Sequence, residues 1–156
     1  MGLDMYLNAK RYVSKHFNPN DEAVARAIQE QFPELAGRVD HWGESSPIKE
    51  VTVEAGYWRK ANAIHQWFVK NVQEGKDDCR PYYVGREQLE ELRDVCKRVL
   101  QFRHLAVELL PAQSGFFFGS TDYDDWYYQD LEQTVAIIDD VLELPTSWDF
   151  EYRASW

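Results

Sequence analysis

Cysteine is scarce in this chain: Cys79 and Cys96 are the two among 156 residues. Two thiols cannot build a disulfide framework, and in a reducing compartment both are expected to stay free. No uncharged apolar run approaches the roughly 18 residues that a membrane span requires. A secretory signal is not expected either, since Asp4, Asn8, Lys10, Arg11 and Lys15 stand where a basic start and an apolar block would be. The expectation is a soluble protein that stays in the cytoplasm. Four histidines (His16, His41, His65 and His104) are scattered without metal-ligand spacing, so no metal site and no cofactor are expected. Internal repeats and low-complexity linkers are absent as well.

The most informative absence is one of charge. From Asp122 to Glu151 there is no Lys or Arg, while ten acids fall there: Asp122, Asp124, Asp125, Asp130, Glu132, Asp139, Asp140, Glu143, Asp149 and Glu151. The other 17 of the 27 acids balance the 17 bases, so this stretch carries the whole formal net charge of −10. Such an imbalance makes a directional field and argues against a nucleic-acid ligand on that side.

What is present reads as one globular domain over residues 1–156, with 44% apolar and 15% aromatic residues, far above a disordered composition. Leu3 to Tyr12 alternates apolar and polar residues, which predicts a strand inside a sheet. Asp21 is placed to cap a short helix with Val24, Ala27, Ile28 and Phe32 on its apolar stripe, ending near Pro33, and 36–47 reads as a loop. Residues 48–57 form a second predicted strand with Val51, Val53 and Ala55 inward. Trp58, Ala61, His65, Phe68 and Val72 then recur at helical spacing, predicting a helix over 58–74 that stops at Gly75. A long helix is expected over 86–110, with Leu89, Leu92, Cys96, Val99 and Arg103 along one side. A last helix over 123–144 buries Tyr127, Leu131, Thr134, Val135, Ile138 and Leu142, and Pro145 closes it. The end, 150–155, alternates as a final strand. The fold class expected is α+β: a small sheet of about three strands, from both termini and residues 48–57, packed against three long helices.

Gly2-Leu3-Asp4-Met5-Tyr6-Leu7 and the stretch Gly56-Tyr57-Trp58-Arg59-Lys60-Ala61-Asn62-Ala63-Ile64-His65-Gln66-Trp67-Phe68, with Asp77-Asp78-Cys79 and Gly115-Phe116-Phe117-Phe118-Gly119-Ser120, resemble a group of short, uncharacterised proteins encoded by tailed phages and prophages. The resemblance covers most of residues 2 to 142, with 18–47 the more individual part. It implies a context, a phage accessory protein in the host bacterial cytoplasm of the kind that counters host defence, and it implies no mechanism.

Two surfaces are candidates for function, and neither names a catalytic residue. On a helix beginning near Tyr57, Arg59, Asn62 and Gln66 share a face. With Lys60 they form a clamp for a small anionic, nucleotide-like ligand, because a guanidinium offers a fork to phosphate or carboxylate. His65, among the aromatics of the stripe, is either a shielded base or a packed histidine. Cys79 is either a nucleophile or an ordinary loop thiol, and the acids beside it disfavour the thiolate. Cys96 reads as core. Phe116-Phe117-Phe118 reads as core or as an anchor for a partner.

The second surface is the acidic helix. Asp122, Asp124, Asp125, Asp139 and Asp140 are interleaved with Tyr123, Trp126 and Tyr128. Acid mixed with exposed aromatic suits an Arg/Lys-rich groove on a basic host protein, such as a nucleic-acid-handling, anti-CRISPR-type target. The favoured expectation is a binding protein using this surface. A small-ligand binder or hydrolase is the alternative, and a structural phage component is a third class.

Overall fold

The computed structural model describes residues 2–115 and 118–156. Among these residues four strands form one antiparallel sheet in the order β2-β1-β4-β3, with β1 at Asp4–Tyr12, β2 at Glu50–Arg59, β3 at Tyr82–Val84 and β4 at Asp149–Ser155. Among the described residues five α-helices accompany it: α1 Asp21–Glu30, α2 Asn62–Asn71, α3 Arg86–Gln101, α4 Ala106–Leu109 and α5 Asp125–Leu142. The α+β class and the three expected strands are present. β3 is an addition, paired antiparallel with β4 in the register Tyr82 to Tyr152 and Val84 to Phe150. Three residues are too few to leave an alternation in the sequence.

The chain divides into two compact units, residues 1–9 with 53–156, and residues 10–52. In the larger unit strand alternation builds the core. Leu3, Met5, Leu7 and Ala9 of the N-terminal segment are fully buried, as are Phe150, Tyr152 and Ala154 of β4 and Trp58 of β2. The helices lay their apolar stripes into the same cluster: Ile64 and Phe68 from α2; Leu89, Leu92, Cys96 and Val99 from α3; Tyr127, Leu131, Ile138 and Val141 from α5. The Phe68 and Tyr152 rings stack at 3.9 Å. At Gly56 α5 packs tightly on the sheet, since a Cβ there would stand 2.5 Å from Ile137 Cγ2.

Several boundaries depart from the sequence reading for identifiable reasons. β2 runs on to Arg59, and its buried positions are Gly56 and Trp58 rather than Val51, Val53 and Ala55. The Trp58 ring fills the core, and its indole N–H donates to Thr134 Oγ1 at 2.9 Å. Trp58 therefore belongs to a strand, and the helix expected over 58–74 is the shorter α2. Lys60 has a left-handed φ of 60° that ends the strand. The helix expected over 86–110 stops at Gln101, and a 3-10 turn, Arg103–Leu105, and α4 follow. Arg103 is exposed, with its guanidinium 4.1 Å over the Tyr128 ring. Gly115 and Phe118–Ser120 form a loop with Phe118 buried; Phe116 and Phe117 lie outside the described residues.

In the smaller unit, α1 buries Asp21, Ala25 and Gln29 and leaves Val24 exposed. This inverts the expected stripe. Asp21 is the first helical residue and not the cap; its carboxylate accepts from Arg11 and from the Ser14 N–H. Gln29 donates to the carbonyls of Leu35 and Arg38. A helix pinned by polar anchors to its own surrounding loops does not announce itself by apolar periodicity.

Candidate functional site

The turn between β2 and α2 sets out the first group of candidates. Lys60 hangs its N–H on the Leu3 carbonyl at 2.8 Å, and the Asn62 N–H closes back on the Lys60 carbonyl at 2.8 Å. This tight reversal aims Arg59 and Lys60 outward, and both are exposed. Arg59 therefore ends a strand and does not share a helix face with Asn62. The Asn62 side chain is already committed: its amide nitrogen donates to the carbonyls of Phe118 (3.1 Å) and Ser120 (2.8 Å), and its oxygen accepts from the Gln113 N–H (2.9 Å). It is a buried clamp on Gln113, Phe118 and Ser120.

His65 is fully buried, with Nδ1 2.8 Å from the Tyr152 hydroxyl and Nε2 3.0 Å from Asp77 Oδ1. An ionised carboxylate only accepts, so Nε2 carries the proton and donates to Asp77, and Nδ1 accepts from the Tyr152 O–H. Burial lowers the histidine's pKa below its ordinary 6.5, opposed by the Asp77 charge, so the ring is neutral at pH 7. Burial likewise raises the Tyr152 phenol well above its usual value. With Tyr152 fully buried, the tyrosine end of this Asp–His–Tyr chain is closed to a substrate, while Asp77 at the other end is exposed and also accepts from the Trp156 indole N–H at 3.3 Å. The chain locks α2 to β4 and to the loop holding Asp77. Cys79 lies exposed in that loop, and Asp77, not Cys79, is the residue that reaches His65. Burial pushes the Cys96 thiol up to about 12, and it sits in the core.

The second group gathers at the start of α5. Asp124 is the helix cap, accepting from the N–H groups of Trp126 (3.0 Å) and Tyr127 (3.1 Å). Asp122 accepts from the Ser120 hydroxyl at 2.9 Å. Asp122, Asp124, Asp125, Asp139 and Asp140 are all exposed, and Trp126 is 74% exposed. Tyr123 and Tyr128 depart from the exposed-aromatic expectation. Tyr123 is half-buried with its hydroxyl on the Ala112 N–H, and Tyr128 is buried under Arg103. Asp139 is held by Arg93 (3.4 Å) and Lys97 (3.3 Å) of α3. The bases missing from the acidic segment are thus supplied in part by its neighbour in space.

The structure joins the two groups. Arg59, Lys60, Asn62, Ser120, Asp122, Asp124, Trp126 and Asp130 line one cavity of about 420 Å³, floored by Ala61, Ala63, Ile64 and Leu131. His65 and Cys79 do not line it. Asp130, one of the ten acids of the 122–151 segment, has no spacing in the sequence that sets it apart from the others. It projects from the second turn of α5, and desolvation by burial, aided by the nearby Asp124 charge, raises its pKa from 3.8 to about 6. Among the described residues, no group of three or more His, Cys, Asp or Glu side chains is placed to hold a metal ion, and no helix is long and apolar enough to cross a membrane. No family model, curated protein or solved structure matches the chain, so its candidate site is defined by geometry and charge.

Proposed function

We propose that this protein acts by binding, and that the start of α5 is the contact surface for a basic protein. One observation carries the reading: Trp126, 74% exposed, projects among the exposed carboxylates Asp122, Asp124 and Asp125. A large ring that the fold does not bury supplies contact area, and the carboxylates around it raise the encounter rate with a cationic surface. The resemblance to phage accessory proteins supports a target in the host bacterial cytoplasm, in the class of nucleic-acid-handling defence enzymes, whose basic grooves match this surface in sign.

The structure separates residues suited to testing this from residues with other work. Asp124 caps α5 and Asp139 pairs with α3, so replacing either perturbs the fold. Asp125→Asn with Asp140→Asn removes charge alone, and Trp126→Ala removes the anchor alone. Capture of one specific protein from host lysate by the wild type, weakened by each variant and by roughly 0.5 M salt, where the Debye length is about 4 Å, is the expected result. Capture that is indifferent to Trp126→Ala refutes the reading. The alternative built on Arg59, Lys60, Asn62 and His65 is reduced to the exposed Arg59 and Lys60, since Asn62 and His65 spend their hydrogen bonds inside the fold.

A further inference from the structure

We propose that the cavity between the β2–α2 turn and the start of α5 receives the guanidinium of an arginine side chain on the basic protein, laid against Trp126 and hydrogen-bonded to Asp130. The inference rests on the protein-contact reading and names the group that the contact buries.

The wall that α5 provides is negative and unanswered. The Asp130 carboxylate, partly buried, accepts no hydrogen bond and has no ion pair among the described residues, and the charged group that acts on it is another acid, Asp124. Asp124 spends only Oδ1 on the first N–H groups of α5, which also covers the positive end of that helix. Asp122 spends only Oδ2 on the Ser120 hydroxyl. One oxygen of each is left over. Arg59 and Lys60 line the cavity without meeting these acids. Arg59 lies on the sheet face opposite Trp58, where its charge acts on Tyr57, whereas α5 packs on the Trp58 face through Thr134. The Lys60 side chain runs past Gly119 to Gly2, where an added Cβ would stand 3.4 Å from Lys60 Cε.

Enclosure sets these acids apart from those on the open surface, which water satisfies. A volume of about 420 Å³ is near the lower end of ordinary ligand pockets. The floor of Ala61, Ala63, Ile64 and Leu131 is buried and apolar, suited to the methylene stem of a long side chain. Trp126 adds an aromatic wall that the fold leaves open. A planar guanidinium can lie on the indole while its fork of N–H groups reaches the carboxylates, and its weak hydration makes entry into a partly desolvated site cheaper than for an ammonium. Arginine is therefore favoured over lysine. The walls are fixed in advance, because Asn62 holds Gln113, Phe118 and Ser120 to the head of α2 through three hydrogen bonds. Little ordering is then left for the guest to bring about.

The test is an amide NMR titration of the full chain, at constant ionic strength, with N-acetyl-arginine N-methylamide. Its citrulline counterpart keeps the shape without the charge, and its lysine counterpart keeps the charge without the plane. The expected result is a saturable shift at Lys60, Ser120, Asp130 and the Trp126 indole, half-complete by roughly 10 mM, with the citrulline compound at least about tenfold weaker and the lysine compound at least about threefold weaker. Asp130→Asn and Trp126→Ala should each weaken binding by about fivefold or more. A denaturation midpoint of Asp130→Asn no lower than that of the wild type separates lost binding from lost structure. Glu90→Gln, on α3 and outside the cavity, should leave binding unchanged. The proposal is overturned if the arginine compound does not saturate, if either counterpart binds as well, or if Asp130→Asn binds normally. Capture from host lysate separates it from the reading beneath it. Capture weakened by Trp126→Ala but not by Asp130→Asn would remove this inference and keep the contact surface. Binding of the arginine compound with capture indifferent to Trp126→Ala would remove the contact reading, and with it the partner as the source of the guanidinium.

Discussion

Asp130→Asn is expected to make the protein more stable near neutral pH and to lose most of that gain in acid. The Asp130 carboxylate is largely desolvated, lies near Asp124, and its pKa is raised from 3.8 to about 6. A raised carboxyl pKa means that the folded chain binds the proton more tightly than the unfolded chain. Ionisation then works against folding: the penalty is near zero below pH 3.8, grows between 3.8 and about 6, and is complete above. A shift of about two units at 1.36 kcal/mol each sets an upper bound of about 3 kcal/mol. Partial exposure screens the charge, so we expect about 1–2 kcal/mol. Asparagine keeps the shape, and the Asp130 backbone carbonyl, which accepts from Thr134 Oγ1 at 2.7 Å, is unaffected. Urea denaturation of both proteins at about pH 7.5 and about pH 4.5 measures the difference, and the gain at the lower pH should fall to about a third. Equal gains at the two pH values, or a less stable variant, would show that the carboxylate has a counter-charge the geometry does not reveal.

Three further substitutions probe the frame that holds the site. Gly56→Ala should cost about 1–3 kcal/mol in chemical denaturation, because its Cβ meets Ile137 where α5 presses on the sheet; a neutral result would mean the helix can lift freely. Thr134→Val, which nearly preserves shape, leaves the buried Trp58 indole N–H unpaired and should cost about 1–3 kcal/mol. For His65 the sign is opposite to that of Asp130. Its folded pKa lies below 6.5, so the contribution to stability is complete above pH 6.5 and is lost as pH falls from there toward the folded value. His65→Gln should flatten that part of the wild-type profile, and an unchanged slope between about pH 6.5 and 5 would place the titration elsewhere.

How far the fold was legible in the sequence depended on whether a segment has one face in the core. β1 and β4 do, and their alternation gave strand type and position to within a residue or two. The stripes of α3 and α5 were legible for the same reason, with Leu89, Leu92, Cys96 and Val99 and Tyr127, Leu131, Thr134 and Ile138 buried as spaced. The failure at Trp58 is instructive. Trp58 is buried from a strand and Ala61, His65 and Phe68 from a helix, so two elements facing the same core produced one continuous spacing of three and four. Periodicity reports which residues point inward; it does not report where the backbone changes form between them. The left-handed residue that marks the change is a lysine, with no glycine or proline at that position to signal it.

The site was less legible than the fold, and the reason is sequence distance. Arg59, Lys60, Asn62, Asp122, Asp124 and Trp126 all stand out in the sequence, but as members of two surfaces, one basic and one acidic. Local spacing can group only residues a few positions apart. The Asn62 side chain, spanning to Phe118 and Ser120, brings the segments together, and nothing in the composition of either one predicts that contact. Once they meet, the meaning of the charge changes. A run of thirty residues with no Lys or Arg suggests an uncompensated acidic face, yet Asp139 finds Arg93 and Lys97 on α3, Asp124 finds helix N–H groups and Asp122 finds Ser120. Within the cavity, what stays uncompensated is one desolvated carboxylate, Asp130, whose charged neighbour is another acid, Asp124. An acid tolerated there against its own desolvation is a stronger pointer to a ligand than the many acids on the surface, because water already satisfies those.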